Sequence, residues 1–429
     1  MNHKAIKAIA DALCLFVAEL KKEGRPPASL TIPHAEWKTF TLKQQIIHFR
    51  RRETLDALIA FRESFSERKA WRAKWSEKYL DSAESDLVGA AIDDPSEDAV
   101  LTATTRAVEC LEREAPKFTV VLPIARLFLG KMRLVFPDIK LHTITAARQR
   151  RIRSMFFRIV ESTPHNKVEK ERLRGEIVEM TTLLLNQPCA EVIVRTDPDK
   201  AQAEAERRVA PILDFLQLAS VVYEPPERGI RIRTGGDLLT KQPITLVIAS
   251  DESSIHTMNR FLFDFRFEMN ANRLASLKKS GFRAILDALA KSEEERTDFE
   301  KRMLTSMHWI ADGSRQELLE NKITSFITSI ETFFTSDGGG NPLSRDLAEG
   351  SAMILSSNLK NRLMLSETIG ELYRLRNKIS HAGEKIENDK AERQLREISV
   401  NLLALIGKIP KKFNNIKEFR DWLKERRLS

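Results

Sequence analysis

Residues 365–383 read LSETIGELYRLRNKISHAG, and this stretch decides how the C-terminal part of the chain folds. Its apolar residues recur at a helical period and predict an amphipathic helix with one apolar stripe. The members of that stripe are Leu365, Ile369, Leu372, Leu375 and Ile379. Gly383 directly follows the last turn, and a glycine there is typical of a helix end. The stretch therefore predicts a packed helix that ends close to His381.

Arg376 falls inside this apolar stripe, while Tyr373, Asn377 and His381 follow one another at four-residue intervals along its flank. Arginine neutralises a phosphate through a bidentate fork, and histidine transfers protons near neutral pH. Together they suggest metal-independent RNA cleavage. In that reaction the 2′-hydroxyl is deprotonated and attacks its own phosphate, and the arginine stabilises the charge of the transition state.

A plainer interpretation of the same residues stays open. Arg376 could form a structural ion pair or extend its head group to solvent, and His381 could cap the last helix carbonyls. Loose arginine–histidine spacing also occurs twice elsewhere in the chain, from Arg158 to His165 and from Arg302 to His308. The asparagine directly after Arg376 is what makes the RNKISH segment more specific than these two.

The sequence on either side of this helix predicts further helices. One apolar stripe comprises Ile323, Phe326, Ile327, Ile330, Phe333 and Phe334. Glu331 lies at its edge, where it either contacts an arginine, orients an imidazole or remains a solvated flank residue. Asn388 is predicted as the N-cap of a helix that ends before Pro410. The stripe of that helix comprises Leu395, Ile398, Leu402 and Leu405. Four such helices form a compact bundle.

Residues 318–408 resemble an HEPN domain, most closely the Apea-like group. The matching segments are ENKITSFITSIETFF, the glycine-rich turn SDGGGNP, SRDLAEGSAMIL, ETIGELYRLRNKISHAG and a final amphipathic helix. The hallmark of that family is an arginine, a polar residue, a short spacer and a histidine, which corresponds to Arg376, Asn377 and His381. The resemblance covers about a fifth of the chain. It implies an HEPN-like helical bundle over residues 318–429.

The resemblance also implies a function. Many HEPN proteins are ribonucleases that dimerise so that two motifs face each other, and the resemblance suggests a toxin or anti-phage defence role. RNA would be the substrate, with no metal and no cofactor. His381 would act as general base or acid, Arg376 would stabilise the developing charge, and Asn377 would orient the phosphate or the imidazole. Glu331 and Tyr373 would support them. The alternative is a non-catalytic dimerisation or RNA-binding module, with a trigger sensed by the N-terminal region.

Composition sets limits on the class of protein. A chain of 429 residues with few glycines and prolines predicts two or three domains and a helix-rich fold. The net charge of +9 suits a polyanionic partner, although it also simply aids solubility. Cys14, Cys110 and Cys189 are widely separated, so neither a disulfide framework nor a zinc site is expected. The N-terminal segment lacks a convincing cleavage site and is predicted as the first helix. The best candidate for a membrane span, FTVVLPIARLFLGKMRLVF, is interrupted by Pro123, Arg126, Lys131 and Arg133. A cytoplasmic protein without a membrane span is expected.

The predicted organisation is mostly α with a small α+β middle module. Helical regions are expected over 1–80 and 100–189, the α+β module over 190–269, and connecting helices over 270–317. The acidic segment 81–100 is predicted as a loop or junction, because its residues favour turns. No phosphate-binding loop or metal motif occurs in the module.

Two basic segments have alternative interpretations. Trp71 and Trp75 lie among many arginines and lysines, so they either form a stacking platform for single-stranded nucleic acid or pack into the core. The second segment, AARQRRIRSMFFRIV, is rich in arginine and carries an apolar stripe at Ile152, Met155, Phe156 and Ile159. Its arginines either hold phosphates or form a solvated face. They are Arg148, Arg150, Arg151 and Arg153.

Overall fold

The structure is a computed structural model that describes residues 3–22, 38–42, 45–49, 51–65, 69–234, 245–248, 255–258, 265–334, 343–386 and 388–428. The described part is mostly helical with a small, largely antiparallel sheet, as the composition and periodicity predicted. The chain divides into two compact units. One comprises Met1–Val120 with Ile193–Ala205, and the other comprises Val121–Val192 with Glu206–Ser429.

The first unit is mainly helical. Its elements are α1 His3–Lys21, β1 Lys38–Leu42, β2 Gln45–Phe49, α2 Arg52–Phe65, α3 Lys69–Lys74, α4 Glu77–Asp93 and α5 Glu97–Glu112. An aromatic cluster lies in its core, where Phe61 stacks on Phe16 and Phe65 meets the edge of Trp71. Trp71 and Trp75 are both buried, and the indole N–H of Trp75 donates to the carbonyl of Leu111 at 2.9 Å. The interpretation of these tryptophans as a nucleic-acid stacking platform is therefore wrong.

The acidic segment 81–100 is helical, so its prediction as a loop was wrong. It lies within α4 and the start of α5, which are joined by only three residues. Ser76 caps α4 by accepting a hydrogen bond from the backbone N–H of Tyr79. Leu80, Leu87 and Val88 are buried on one face of α4. Packing of this apolar face outweighs the turn preference of the aspartates and serines around it.

The second unit contains the sheet. Its first elements are β3 Lys117–Ala125, β4 Leu127–Phe128, β5 Leu134–Phe136, β6 Ile139–Thr143, α6 Ala146–Ser162, α7 Lys167–Leu183, β7 Pro188–Arg195, α8 Pro198–Tyr223, β8 Arg233–Thr234, β9 Thr245–Ile248, β10 Ile255–Met258 and β11 Phe267–Glu268. The five-stranded sheet has the order β5-β6-β7-β3-β8. The first residues of β3, the last of β7 and the first eight of α8 belong to the other compact unit. β9 pairs with β10, and β4 pairs with β11.

Strands β3 to β6 lie in the region 100–189 that was predicted to be helical, and the prediction is wrong there. Pro137 and Asp138 form a two-residue turn between β5 and β6, with Asp138 at φ 57°. Arg126 also has a positive φ, 61°, where β3 gives way to β4. Such positions interrupt a helix, but a side-chain pattern of apolar and basic residues does not reveal them. The sheet thus combines strands from the region 100–189, which was predicted to be helical, with strands from the predicted α+β module over 190–269.

A helical bundle forms the C-terminal part. Its elements are α9 Ala271–Leu277, a π-helical segment Lys278–Phe282, α10 Arg283–Leu289, α11 Asp298–Arg315, α12 Leu319–Glu331, α13 Leu343–Leu355, α14 Leu359–Ala382, α15 Lys390–Ile406 and α16 Ile416–Leu428. Helix α12 packs against α11, α13, α14 and α15, and its predicted apolar stripe is buried. Helix α11 therefore belongs to the bundle, although it lies in the region 270–317 that was predicted to connect domains.

Two glycines set the closest helix crossing in this bundle. A side chain on Gly281 would lie 2.0 Å from the backbone oxygen of Ala404, and one on Gly407 would lie 2.1 Å from that of Gly281. Gly281 also has φ 113°, which only glycine adopts readily. The π-helical segment can therefore lie directly against α15, which in turn packs on α12.

Predictions around α15 have mixed outcomes. Leu395, Ile398 and Leu402 are buried as expected. Asn388 is not the N-cap, because α15 begins at Lys390 and is preceded by Asp389. The Asn388 side chain instead accepts a hydrogen bond from the backbone N–H of Lys390 at 3.1 Å. It thus satisfies one of the N–H groups at the start of α15 that have no partner within the helix, from the position before the N-cap. The glycine-rich turn over residues 335–342 lies outside the described residues.

Candidate functional site

The RNKISH segment occupies the last two turns of α14. Asn358 caps the helix start, and Gly383 ends it in the left-handed conformation at φ 66°, with its N–H bonded to the carbonyl of Ile379 at 3.1 Å. Ile369, Leu372 and Tyr373 are buried, whereas Leu375 and Ile379 are only half-buried. The predicted helix and its end at Gly383 are confirmed. The segment thus lies where the packed part of α14 gives way to solvent.

Arg376 is held against the bundle by two neighbours. One terminal nitrogen of its guanidinium lies 3.6 Å from a carboxylate oxygen of Glu331, and the other donates to the side-chain oxygen of Asn377 at 3.2 Å. Its Nε is buried without a hydrogen-bond partner among the described residues. The side chain is still 24% exposed. Arg376 is therefore fixed in direction, but its five donors are far from fully used.

Glu331 and Tyr373 complete this cluster. Glu331 is the last residue of α12 and is only 9% exposed, so its interpretation as a solvated flank residue is wrong. A carboxylate at the C-terminal end of a helix faces the negative end of the helix dipole and needs compensation. Arg376 supplies an opposite charge, and the hydroxyl of Tyr373 donates a hydrogen bond to Glu331. Burial raises the pKa of Tyr373, and the charge of Glu331 raises it further.

His381 is placed differently from the other predicted residues. It is exposed in the last turn of α14, with no hydrogen bond or ion pair to the parts of the chain that the structure describes. His381 follows Arg376 by five positions, so the two side chains leave the helix about 140° apart. Asn377 lies between them in this projection. The structure thus brings Glu331, Tyr373, Arg376 and Asn377 together and leaves His381 on the neighbouring open face.

The two other arginine–histidine pairs serve as internal comparisons. The imidazole of His165 lies 3.3 Å from the carboxylate of Glu169, and that of His308 lies 2.8 Å from Asp214. Arg302 lies 3.5 Å from Asp298 and donates to the carbonyl of Thr332. The histidines of these two pairs are committed to carboxylates within the chain. Of the three spaced pairs, RNKISH is the one whose histidine has no such partner in the described structure.

Sequence reasoning missed a cluster of Cys189, His142 and Glu191 on two neighbouring strands. His142 and Cys189 are register partners between β6 and β7, with 3.9 Å between Sγ and Nε2. The same Nε2 lies 3.6 Å from Glu191. A cysteine, a histidine and a carboxylate suggest a nucleophile, but burial raises the pKa of Cys189 to about 12. Cys189 therefore remains a protonated thiol, and the cluster is structural. Only a correct strand assignment would have revealed it.

The described residues contain no group of three or more histidine, cysteine, aspartate or glutamate side chains placed to hold a metal ion. No helix in the same part of the chain is long and apolar enough to cross a membrane. Comparisons with protein-family models, with curated proteins and with solved structures gave no match.

The contacts among Glu331, Tyr373 and Arg376 predict that two substitutions shift the pKa of Tyr373 in opposite directions. Glu331→Gln removes a negative charge and should lower the pKa of Tyr373, whereas Arg376→Ala removes a positive charge and should raise it. Carbon NMR of Cζ-labelled tyrosine measures this directly once Tyr79 and Tyr223, the other two tyrosines, are replaced by phenylalanine. Arg374→Ala, an exposed position on the same helix, is the matched control and should leave the pKa unchanged. Shifts of the same sign in both variants would contradict the described contacts.

The His308–Asp214 contact predicts a pH-dependent contribution to stability. The hydrogen bond to Asp214 raises the pKa of His308, and Arg315, which pairs with the same carboxylate at 2.6 Å, opposes the rise. A raised pKa in the folded state stabilises the protein fully below the ordinary histidine pKa of about 6.5, and this stabilisation is lost as the pH rises through the folded-state pKa. The free energy of unfolding of wild type relative to His308→Gln should therefore fall over that window. Urea denaturation at a series of pH values measures it, and Thr305→Ala on the same face of α11 should keep the wild-type pH dependence.

Proposed function

We propose that this protein is a metal-independent endoribonuclease of the HEPN type, with Arg376, Asn377 and His381 as its catalytic residues. The observation that carries the proposal is the pairing of a fixed, incompletely used arginine with an exposed histidine at the open end of α14. The arginine can donate to a phosphate oxygen without moving far, because Glu331 and Asn377 already determine its direction. The other two arginine–histidine pairs of the chain lack this combination.

The proposed reaction balances without a cofactor. A neutral His381 imidazole removes the proton of the ribose 2′-hydroxyl, and the oxygen attacks the adjacent phosphorus. The bond from phosphorus to the 5′-oxygen then breaks, and an imidazolium returns a proton to that leaving oxygen. Arg376 stabilises the additional charge on the phosphate oxygens, and Asn377 orients the phosphate or the imidazole. The products are a 2′,3′-cyclic phosphate and a 5′-hydroxyl end.

The geometry favours a site that is shared between two copies of the chain. One chain supplies a single His381, whereas the reaction uses a base on one side of the phosphate and an acid on the other. Helix α14 also exposes Leu359, Leu363 and Met364, at 70%, 65% and 59%. An isologous contact along α14 would cover this apolar face and bring two RNKISH segments to one groove. In this proposal the homodimer is the active form, and the N-terminal unit responds to a trigger in a toxin or anti-phage role in the cytoplasm.

One observation favours a second candidate, a non-catalytic dimerisation or RNA-binding module. Arg376 pairs with Glu331 of its own chain, and Glu331 also accepts the hydroxyl of Tyr373. In this alternative the arginine is a structural partner of a buried carboxylate. His381 then has no proton to transfer, and the 140° separation of the two side chains has no catalytic meaning.

RNA cleavage in EDTA distinguishes the two candidates. Wild type should cleave a panel of labelled single-stranded and hairpin RNAs, and His381→Ala should lower the rate by about 10²- to 10⁴-fold, as expected for loss of a general acid–base group. Arg376→Ala should lower it by about 10²- to 10³-fold, because a preorganised donor to the transition state is lost. The fragments should carry cyclic phosphates, and a 2′-deoxy nucleotide at the cleaved position should block the reaction.

The control variants are matched by position and type. Arg374→Ala and Lys378→Ala remove exposed cations from the same turns of α14, and His165→Ala removes the histidine of a competing pair. All three should retain wild-type rates. Equal cleavage by wild type and His381→Ala, in the presence of every trigger tested, would establish the non-catalytic candidate. Binding of RNA without cleavage would identify it as an RNA-binding module.

The oligomeric state tests the shared site separately. Leu363→Glu places a charge within the exposed apolar face of α14 and should therefore dissociate this dimer. Its cleavage rate should fall with dissociation, measured by analytical ultracentrifugation in the assay buffer. Arg376→Ala should lose cleavage but retain the dimer, because alanine suits the apolar stripe and the hydroxyl of Tyr373 still donates to Glu331. A monomer with full activity at micromolar concentration would refute the shared site.

A further inference from the structure

A groove lies between α8 and α11 in the second unit, away from the residues of the RNKISH segment. One face of α8, one face of α11 and the loop before α11 line it. Its volume of about 320 Å³ lies within the usual range for sites of small molecules, about 300–1,000 Å³. The charged and titratable residues of this lining are Arg207, Asp214, Glu293, Arg296, Lys301 and His308.

The imidazole of His308 is held in one orientation at this groove. Its Nδ1 lies 2.8 Å from a carboxylate oxygen of Asp214, and Arg315 donates to the other oxygen at 2.6 Å. The carboxylate accepts, so Nδ1 carries a proton, and Nε2 has no hydrogen-bond partner in the described part of the chain. The hydrogen bond to Asp214 raises the pKa of His308, so the cationic form with an Nε2–H donor persists to higher pH.

Arg296 brings a positive charge with an unused donor to the same groove. Its Nε donates to the carbonyl of Ala288 and its Nη2 to that of Lys291, both at 2.9 Å. These neutral carbonyls fix the direction of the guanidinium but do not neutralise its charge. Among the described residues, Arg296 forms no ion pair and its Nη1 donates to none of them. Lys301 is exposed on α11 and likewise forms no ion pair with the described residues.

The carboxylates that border this groove have cations of their own. Asp214 accepts from Arg315, and Glu293 lies 3.2 Å from Arg207. Neither carboxylate therefore compensates the remaining cationic donors of the groove. These donors are Arg296, Lys301 and the protonated His308.

The number of these donors selects the class of anion. A carboxylate offers one negative charge and two oxygens, and a phosphodiester within an RNA strand also has one charge and two free oxygens. A phosphomonoester carries about two charges at neutral pH and three strong acceptor oxygens, one for each donor. Arginine and protonated histidine both bind such oxygens through charge-assisted hydrogen bonds. The groove therefore fits a phosphomonoester best.

A second cavity of about 290 Å³ adjoins the groove and has an apolar lining. The two share Arg207, Pro211, Glu293 and Arg296. Its apolar lining comprises Phe136, Pro137, Ile139, Ile212 and Leu289. Glu294 also borders it, but its own backbone N–H and the hydroxyl of Ser292 hold that carboxylate. A planar nucleobase stacks on aromatic and apolar surfaces of this kind.

We propose that the groove binds a nucleoside monophosphate, with the phosphate held by Arg296, Lys301 and His308 and the base in the adjoining cavity beside Phe136. The phosphate then compensates charges that the chain itself leaves unpaired. The apolar lining covers the base, which a free phosphate lacks. None of the RNKISH residues borders either cavity, so this site is independent of the proposed RNA cleavage.

Isothermal titration calorimetry with adenosine 5′-monophosphate tests this site. Wild type should bind the nucleotide, and adenosine, which lacks the phosphate, should bind at least about a hundredfold more weakly. Lys301→Ala and His308→Gln should each weaken nucleotide binding by about ten- to a hundredfold, because each removes a hydrogen bond to a charged group. Phe136→Ser should weaken binding of the nucleotide but leave that of inorganic phosphate unchanged.

Control variants remove similar side chains outside the groove. Lys417→Ala removes an exposed lysine of α16, and His165→Gln removes another histidine that lies against a carboxylate. Both should bind the nucleotide like wild type. Thermal unfolding of every variant, without ligand, shows that the binding losses occur in folded protein.

Three results would overturn the proposal. The first is the absence of binding by the 5′-monophosphates of adenosine, guanosine, cytidine and uridine, or unchanged binding in both Lys301→Ala and His308→Gln. The second is inorganic phosphate that binds as tightly as the nucleotide, which would leave no role for the adjoining cavity. The third is a 5′-phosphorylated RNA that binds more tightly than the nucleotide while its 5′-hydroxyl counterpart does not, which would assign the groove to RNA ends instead.

Discussion

The buried carboxylate of Glu331 is the constraint on which the C-terminal bundle depends. It ends α12, the helix that packs against α11, α13, α14 and α15, and it lies at the unfavourable end of that helix dipole. Helix α14 supplies both groups that compensate it, the guanidinium of Arg376 and the hydroxyl of Tyr373. Leaving such a charge without partners would cost several kcal/mol, roughly the stability margin of a small domain. This requirement fixes the rotation of α14 about its own axis.

That rotation determines what the RNKISH segment can do. With Arg376 turned toward Glu331, the helix period places His381 on the open face about 140° away. The contact of 3.6 Å to Glu331 is long for a charge-assisted hydrogen bond, which is normally about 2.7–2.9 Å. The guanidinium therefore keeps donors that Glu331 does not use. The carboxylate orients the arginine, and the loose contact leaves it able to bind an anion.

Periodic apolar patterns predicted the fold best where one face of a helix is buried. The stripes of α12 and α15, the helix α14 and its end at Gly383 all follow from residue spacing. The strands β3 to β6 did not, because short apolar runs fit a buried helix as well as a strand, and the positive φ at Arg126 leaves no pattern. The breakers of this segment, Pro123, Gly130 and Pro137, lie within or between the strands. In the candidate site, the sequence placed Arg376 on the packing surface. The sequence did not identify Arg376 as the partner of Glu331, because the two residues lie on different helices and are 45 positions apart.

An apolar residue on a helix is not necessarily buried within its own chain, as α6 and α14 show. Ile159 belongs to the periodic stripe of α6 and is more than half exposed. Leu363 on α14 is also more than half exposed, and it lies outside the stripe that packs on the bundle. In each case polar or charged groups bind the helix to its own chain, through Gln149 on α6 and Arg376 on α14. Directional contacts thus set the helix orientation, and apolar surface that lies off that direction stays uncovered. Such surface lowers its free energy only by meeting another chain, so the same contacts that orient these helices favour assembly.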